Sequence, residues 1–390
     1  VATLRQLTSD IYLLLVMVFI DLPLLLFMRR PTQHDRSICI IRLDNIGDFI
    51  LWLDAANGLH ELFAGRPSVL VIDEALAELA KDAGLWDEVW PLNRKRFRQD
   101  PQYRLHVLRK VRRRGFHTAI HPAFSRDFSM GDALTLATAA TKRIGYQGDL
   151  SNMRRWQKWL GDRCYTQLVA AEPQSTMELI RNADFVRAIG NAAFRARCPR
   201  LPVPLGRHRT RPVDAPYYVL FPGASRANKQ WPPASFATVA EWLSKHTGLQ
   251  GVICGGRDDR PQAAIIEKHC QATLVNLTGT TTLRELVDII TGAALLISND
   301  TSAVHIACAV GTKSIAILGG GHYGRFLPYQ VEVPCATPPP IVVHHPMDCF
   351  GCNWQCRYST PANAPAPCVE RVTADAVIAA IAPLLPLADT

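Results

Sequence analysis

From residue 37 onward, short apolar runs alternate with longer stretches of helical spacing, and polar turn residues separate the two. The runs at 37–43, 68–72, 88–91, 118–121 and 143–146 read as strands, with helices at 48–63 and 75–83. They are continuously apolar rather than alternating, which predicts strands buried on both faces of a parallel sheet. Across 199–216 neither period survives; five prolines and several arginines (PRLPVPLGRHRTRPVDAP) predict a linker. The alternation then restarts. Strands are expected at 217–221, 250–254, 274–277, 294–298 and 314–318, and helices at 235–246, 260–270, 283–290 and 302–310. The expected fold class is α/β: two Rossmann-like, doubly wound domains, with ligand bound in a cleft faced by the carboxyl ends of their strands.

The start of the chain breaks this pattern. Residues 11–28 are nearly all apolar, interrupted by Asp21 and Pro23 and followed by Arg29 and Arg30. A spanning helix wants about 20 apolar residues. The run therefore reads as a helix on the membrane face, a span, or a helix docked on protein. The arginines that follow it put the remaining domains on the cytoplasmic side. The expected organisation is a membrane-associated segment at 1–36, domains at 37–205 and 206–334, a Cys/Pro-rich loop at 335–370, and a helix at 371–390 that packs back on the first domain.

With 390 residues, 48% hydrophobic and 20% charged, the chain is long enough for two folded domains. A net charge of +9 suits an anionic partner. With no zinc-finger, RRM or helix-turn-helix signature, nucleic acid is not the expected one. The basic stretches 94–98 and 109–114 read either as a solvated face or as a contact for anionic headgroups or a phosphorylated glycolipid. Seven of the eleven cysteines are scattered, several of them in apolar runs (Cys39, Cys254, Cys308), which suggests a reducing compartment. The other four, Cys349-x2-Cys352-x3-Cys356-x11-Cys368, have a spacing that suits a structural zinc; free or redox-active thiols are the alternative.

Three segments at strand ends carry the candidate chemistry. In Arg42-Leu43-Asp44-Asn45-Ile46-Gly47-Asp48, Asp48 stands in the first turn of a helix, where the dipole favours its ionised form. It reads as a helix cap or as a base for a hydroxyl proton; Asp44 reads as a turn residue. In Phe221 to Pro232, a Pro-Gly turn followed by Ser225 and Lys229 could hold phosphate. In Ser298 to His305, an apolar strand stops abruptly before a small-residue helix. The amino terminus of that helix suits a diphosphate.

Taken in this order, the segments resemble glycosyltransferase family 9, the lipopolysaccharide heptosyltransferases. Ile46-Gly47-Asp48 resembles the family's N-terminal signature. Pro222-Gly223 with Lys229-Gln230-Trp231-Pro232 resembles its phosphate loop, and Asp300-Thr301-x-x-x-His305 its nucleotide motif. Weaker matches are His121-Pro122 with Ser125-Arg126, Arg143-Ile144-Gly145, and 178–190. The resemblance implies a GT-B fold and an inverting transfer that needs no metal or other cofactor. Asp48 would be the general base. Ser225, Lys229, Asp300, Thr301, Ser302 and His305 would hold the donor diphosphate, and Asp258 or Asp259 the ribose. Thr301-Ser302 departs from the family's usual Thr-Gly.

The implied donor is a nucleotide sugar, ADP-heptose by family expectation, and the implied acceptor a lipopolysaccharide core or related glycolipid. The N-terminal domain would bind the acceptor and the C-terminal one the donor. The expected location is the cytoplasmic face of the inner (plasma) membrane, peripheral or held by a single N-terminal anchor. The alternatives are a sugar-nucleotide epimerase of the same fold and a non-catalytic, membrane-bound nucleotide-binding protein.

Overall fold

A computed structural model describes residues 15–21, 23, 36–172, 177–202, 210–358, 360–361 and 363–386. Its two sheets have six strands each, every paired neighbour parallel. The first holds β1 (Ile38–Arg42), β2 (Ser68–Asp73), β3 (Glu88–Leu92), β4 (Thr118–His121), β5 (Lys142–Tyr146) and β6 (Gln167–Val169), in the order β3-β2-β1-β4-β5-β6. The second holds β7 (Tyr217–Phe221), β8 (Gln250–Ile253), β9 (Leu274–Asn276), β10 (Leu295–Asn299), β11 (Ser314–Ile317) and β12 (Ile341–Val343), in the order β12-β11-β10-β7-β8-β9. Each is a doubly wound α/β sheet with its switch point beside its first strand. Every residue of β1, β7 and β10 is buried, as continuous apolar runs require. The edge strands β6 and β12 have no counterpart among the expected elements. Each has three residues and one buried position, too little apolar sequence to stand out.

The chain divides into two compact units. One comprises Val1–Asn45, Ala56–Pro173 and Asp184–Phe194; the other comprises Ile46–Ala55, Gln174–Ala183 and Arg195–Thr390. The helix Ile46–Leu62 thus begins in the second unit.

In the first unit, Cys39, Ile41, Val69, Val71, Leu108 and Phe116 are part of one core. A polar network lies at the end of β4. His121 Nδ1 and Tyr165 Oη are 2.7 Å apart, and Tyr165 Oη donates to Asp132 Oδ1 at 2.6 Å. Arg126 is fully buried and pairs with Asp132 and Asp162. The His-Pro and Ser-Arg motifs therefore supply internal structure here.

The N-terminal segment alters one expectation. Asp21, read as an interruption of the apolar run, accepts from Arg104 Nε at 2.8 Å and Nη2 at 2.5 Å. Arg104 is 3% exposed and also donates to the Ser129 carbonyl at 2.8 Å. The carboxylate thus offsets a buried cation, and the turn Met17–Asp21 is docked on protein at that point. Among the described residues no helix is long and apolar enough to cross a membrane. A spanning anchor has no support from them, and the rest of the 11–28 run lies outside the described residues.

The helix Ala374–Ile381 lies in the second unit. Val377 and Ile381 join the core formed by Tyr218, Trp231, Phe236 and Ile315. The helix packs on Pro233–Thr247, β11 and β12 within the second unit. The expectation of unpaired scattered thiols is also corrected at one pair: Cys198 and Cys335 form a disulfide, with Cα atoms 5.2 Å apart. Cys39, Cys164, Cys254, Cys270 and Cys308 are free and buried.

Candidate functional site

At the end of β1, Arg42 is buried and its guanidinium pairs with Asp44 at 2.6 Å while donating to the Pro122 carbonyl at 3.1 Å. That pair fixes the turn, as expected for Asp44. Asn45 occupies the cap position of the helix Ile46–Leu62, with extended backbone and no side-chain cap bond. Asp48, half-buried, stands inside the first turn, so the cap itself is not its place. The helix dipole there favours a carboxylate. Close by is Gly47: a Cβ on it would lie 3.2 Å from His305 Cδ2 and 3.7 Å from Ser302 Cα. The turn that carries Asp48 therefore meets the start of the helix Ser302–Val310 within the second unit.

Adjacent strands β7 and β10 end together, and Asn299 joins their ends. Asn299 is fully buried. Its Oδ1 accepts the Trp231 N–H at 3.0 Å, and its Nδ2 donates to the Pro222 and Gly223 carbonyls at 2.6 and 3.2 Å. One side chain thus fixes both ends of the candidate phosphate loop. Asn299→Ala is expected to lower unfolding stability by about 1–3 kcal/mol for each buried backbone group left unpaired. Thermal unfolding checks it; an unchanged Tm would mean the loop is held by other contacts.

Within this frame, Lys229 closes the short turn Ala227–Lys229, and its Nζ lies 3.7 Å from Asp300 Oδ2, both side chains largely buried. Ser225 is exposed on the same loop. Thr301 caps the helix Ser302–Val310: its hydroxyl accepts the Ala303 N–H at 3.3 Å and lies 3.1 Å from Ser298 Oγ. His305 is 4% exposed, and its Nδ1 lies 2.8 Å from Tyr329 Oη, the two rings stacked at 5.9 Å. Burial pushes its pKa down to about 4; the Lys229 charge acts in the same direction and Asp300 opposes it. Burial therefore favours the neutral imidazole.

The two candidate ribose contacts separate. Asp258 is exposed. Asp259 is turned beneath the phosphate loop, where its carboxylate accepts the Gly256 N–H at 2.8 Å and fills the space that a Cβ on Gly223 would need. Burial raises its pKa.

Among the four clustered thiols, Cys368 is buried, and its Sγ accepts the Gly320 N–H at 3.3 Å. Burial raises its pKa, and nearby Cys349 and Cys352 add to that rise. Among the described residues no three His, Cys, Asp or Glu side chains are placed to hold a metal ion. The set therefore fits a metal by its chemistry and spacing, but not by the present arrangement of its side chains.

The structure thus brings together Lys229, Asp300, Thr301, Ser302 and His305, with the Asp48 turn beside them. Asn299 and Tyr329 were not singled out from sequence. Asn299 ends the strand Leu295–Asn299, but its partners lie far along the chain and left no signal, and Tyr329 carried none.

Residues 105–338 match glycosyltransferase family 9 (heptosyltransferase). Lipooligosaccharide heptosyltransferase 2 of Haemophilus influenzae is 35% identical over 95 residues, 23% of this chain and 27% of that protein. The chain thus matches about a quarter of that relative's length. Among solved structures, Escherichia coli ADP-heptose lps heptosyltransferase II superposes with a TM-score of 0.65 at 17% identity, covering 89% of this chain and 98% of that one. The iron-containing dodecameric glycosyltransferase TibC of enterotoxigenic E. coli superposes with a TM-score of 0.51 at 15% identity, covering 91% and 77%. At these identities the superpositions show the shared fold.

Proposed function

The chain belongs to glycosyltransferase family 9, and from that premise we propose that it transfers a heptose from a nucleotide-sugar donor to a lipopolysaccharide-core acceptor. The observation that carries this reading is the approach of Gly47 to His305 and Ser302. It sets a carboxylate on one helix start beside a second helix start suited to a diphosphate. Asp48 takes the proton of an acceptor hydroxyl as its oxygen attacks the anomeric carbon. The attack comes from the face opposite the diphosphate, so the configuration inverts. Lys229 and the first turn of Ser302–Val310 stabilise charge on the departing diphosphate. Neutral His305 donates or accepts one hydrogen bond, and Asp258 is the ribose contact that remains exposed to a ligand.

ADP-heptose is the donor of choice because the E. coli protein of the same fold is described by that substrate. A structural metal enters this reading only through Cys349, Cys352, Cys356 and Cys368. Zinc suits the spacing, and iron is the alternative because TibC contains it; no step of the transfer passes through either.

The enzyme works at the cytoplasmic face of the inner membrane as a peripheral protein. Support comes from a groove of the first unit lined by Trp90, His106, Arg109, Lys110 and Arg113, in which Lys110 Nζ lies 4.0 Å from the Trp90 ring centroid. Such a surface attracts anionic headgroups. Titration with ADP, UDP, GDP and CDP tests the donor reading. ADP is expected to bind tightest, and failure of all four to bind would remove it.

A further inference from the structure

The three successive glycines after β11, Gly319-Gly320-Gly321, have no role in the reading above. They make room for the cysteine-bearing loop. A Cβ on Gly320 would strike Phe350, and one on Gly319 or Gly321 would strike the Trp354 ring. Backbone hydrogen bonds fasten the loop over them: Gly351 N–H to the Gly320 carbonyl at 2.8 Å, and Asn353 N–H to the Gly321 carbonyl at 2.9 Å. Asn353 and Trp354 both adopt left-handed backbone, with φ of 50° and 61°. For residues with side chains that conformation is uncommon, and it is kept only where surrounding contacts enforce it.

What the loop presents at that point faces the candidate donor site. Lys229 Nζ lies 4.8 Å from the Trp354 ring centroid and 3.7 Å from Asp300 Oδ2. The His322 and Trp354 rings meet in a T-shaped contact with centroids 6.0 Å apart, and His322 Nε2 bonds Asn353 Oδ1 at 2.8 Å. Trp354 Nε1 and His322 Nδ1 are buried with no hydrogen-bond partner among the described residues. A buried polar atom left unpaired is costly.

We propose that Trp354 is a positioning residue for Lys229, holding the ammonium against its ring so that Nζ points at the donor diphosphate, and that the cysteine-bearing loop thereby forms one wall of the donor site. This rests on Lys229 being a diphosphate ligand. A lysine stem is flexible, and a cation on an aromatic face loses part of that freedom. The competing explanation is simple packing of an aromatic ring on a glycine turn.

ADP binding to the purified full-length protein separates the two. Trp354→Leu keeps an apolar side chain without a π face and is expected to weaken binding about 3- to 30-fold. Trp354→Phe keeps the face and should bind within about threefold of the unaltered protein. Lys229→Ala alone and Lys229→Ala with Trp354→Leu should bind ADP equally weakly, because the ring acts through the lysine. Additive losses in the double variant, or unchanged binding in Trp354→Leu, would overturn the proposal while leaving Lys229 in place. Insolubility of both the Leu and the Phe variant would make Trp354 a folding residue and overturn it too. Unchanged binding in Lys229→Ala would overturn both this proposal and the donor-site reading.

Discussion

Asp48→Asn is expected to fold normally, to bind ADP as the unaltered protein does, and to transfer sugar about 10²–10⁴-fold more slowly, the usual range for loss of a general base. The reason is local. The cap of the helix Ile46–Leu62 is Asn45, and the turn before it is held by Arg42 and Asp44, so the amide at position 48 removes a proton acceptor and leaves the frame. Asn is nearly isosteric with Asp but cannot take the proton at neutral pH. The loss should therefore appear in kcat, with little change in the donor KM. Thermal unfolding and ADP titration on the same preparation separate lost chemistry from lost structure. Near-normal turnover would remove Asp48 from the mechanism.

The second large effect is expected at Lys229. Lys229→Ala should weaken ADP binding about 10- to 100-fold, as loss of a charged hydrogen bond to phosphate implies. Two terms act together. The ammonium no longer meets the phosphates, and Asp300, 3.7 Å away and mostly buried, loses its cation partner beside them. Lys229→Ala with Asp300→Asn should recover part of the loss, because the repulsive charge is gone. Isothermal titration reads both. Salt dependence provides a further check: the unaltered protein should lose affinity as ionic strength rises, and the Ala variant should lose less. Unchanged ADP affinity in Lys229→Ala would place the diphosphate elsewhere.

Much of this arrangement was legible in the sequence, for reasons that also explain the rest. Strands such as β1, β7 and β10 are buried on both faces and therefore appear as unbroken apolar runs. The candidate residues were legible because each run stops at polar residues just before a helix, a pattern that places chemistry at strand ends. The edge strands β6 and β12 lack that contrast, and β12 follows three prolines that read as loop.

Residues whose partners lie far along the chain were not legible. Asn299 acts on backbone groups of Pro222 and Trp231, at separations of 77 and 68 residues. Asp21 looked like a flaw in an apolar run because its partner, Arg104, is 83 residues away. Trp354 is similar: neither the glycines it covers nor the lysine it faces is near it in sequence. His305 was legible as a member of the nucleotide motif. Its neutrality was not, since that depends on burial against Tyr329.

Acceptor-dependent heptose transfer with Asp48 as base is read out by a mass measurement on the acceptor. The protein is incubated with ADP-heptose and a lipopolysaccharide core that lacks its heptose, and both products are quantified. The expected result is one heptosyl group added to the acceptor for each ADP released, with the addition abolished in Asp48→Asn and no ADP released when acceptor is omitted. ADP released equally with and without acceptor, or a donor altered while the acceptor mass stays unchanged, would contradict the account and point to hydrolysis or epimerisation of the nucleotide sugar.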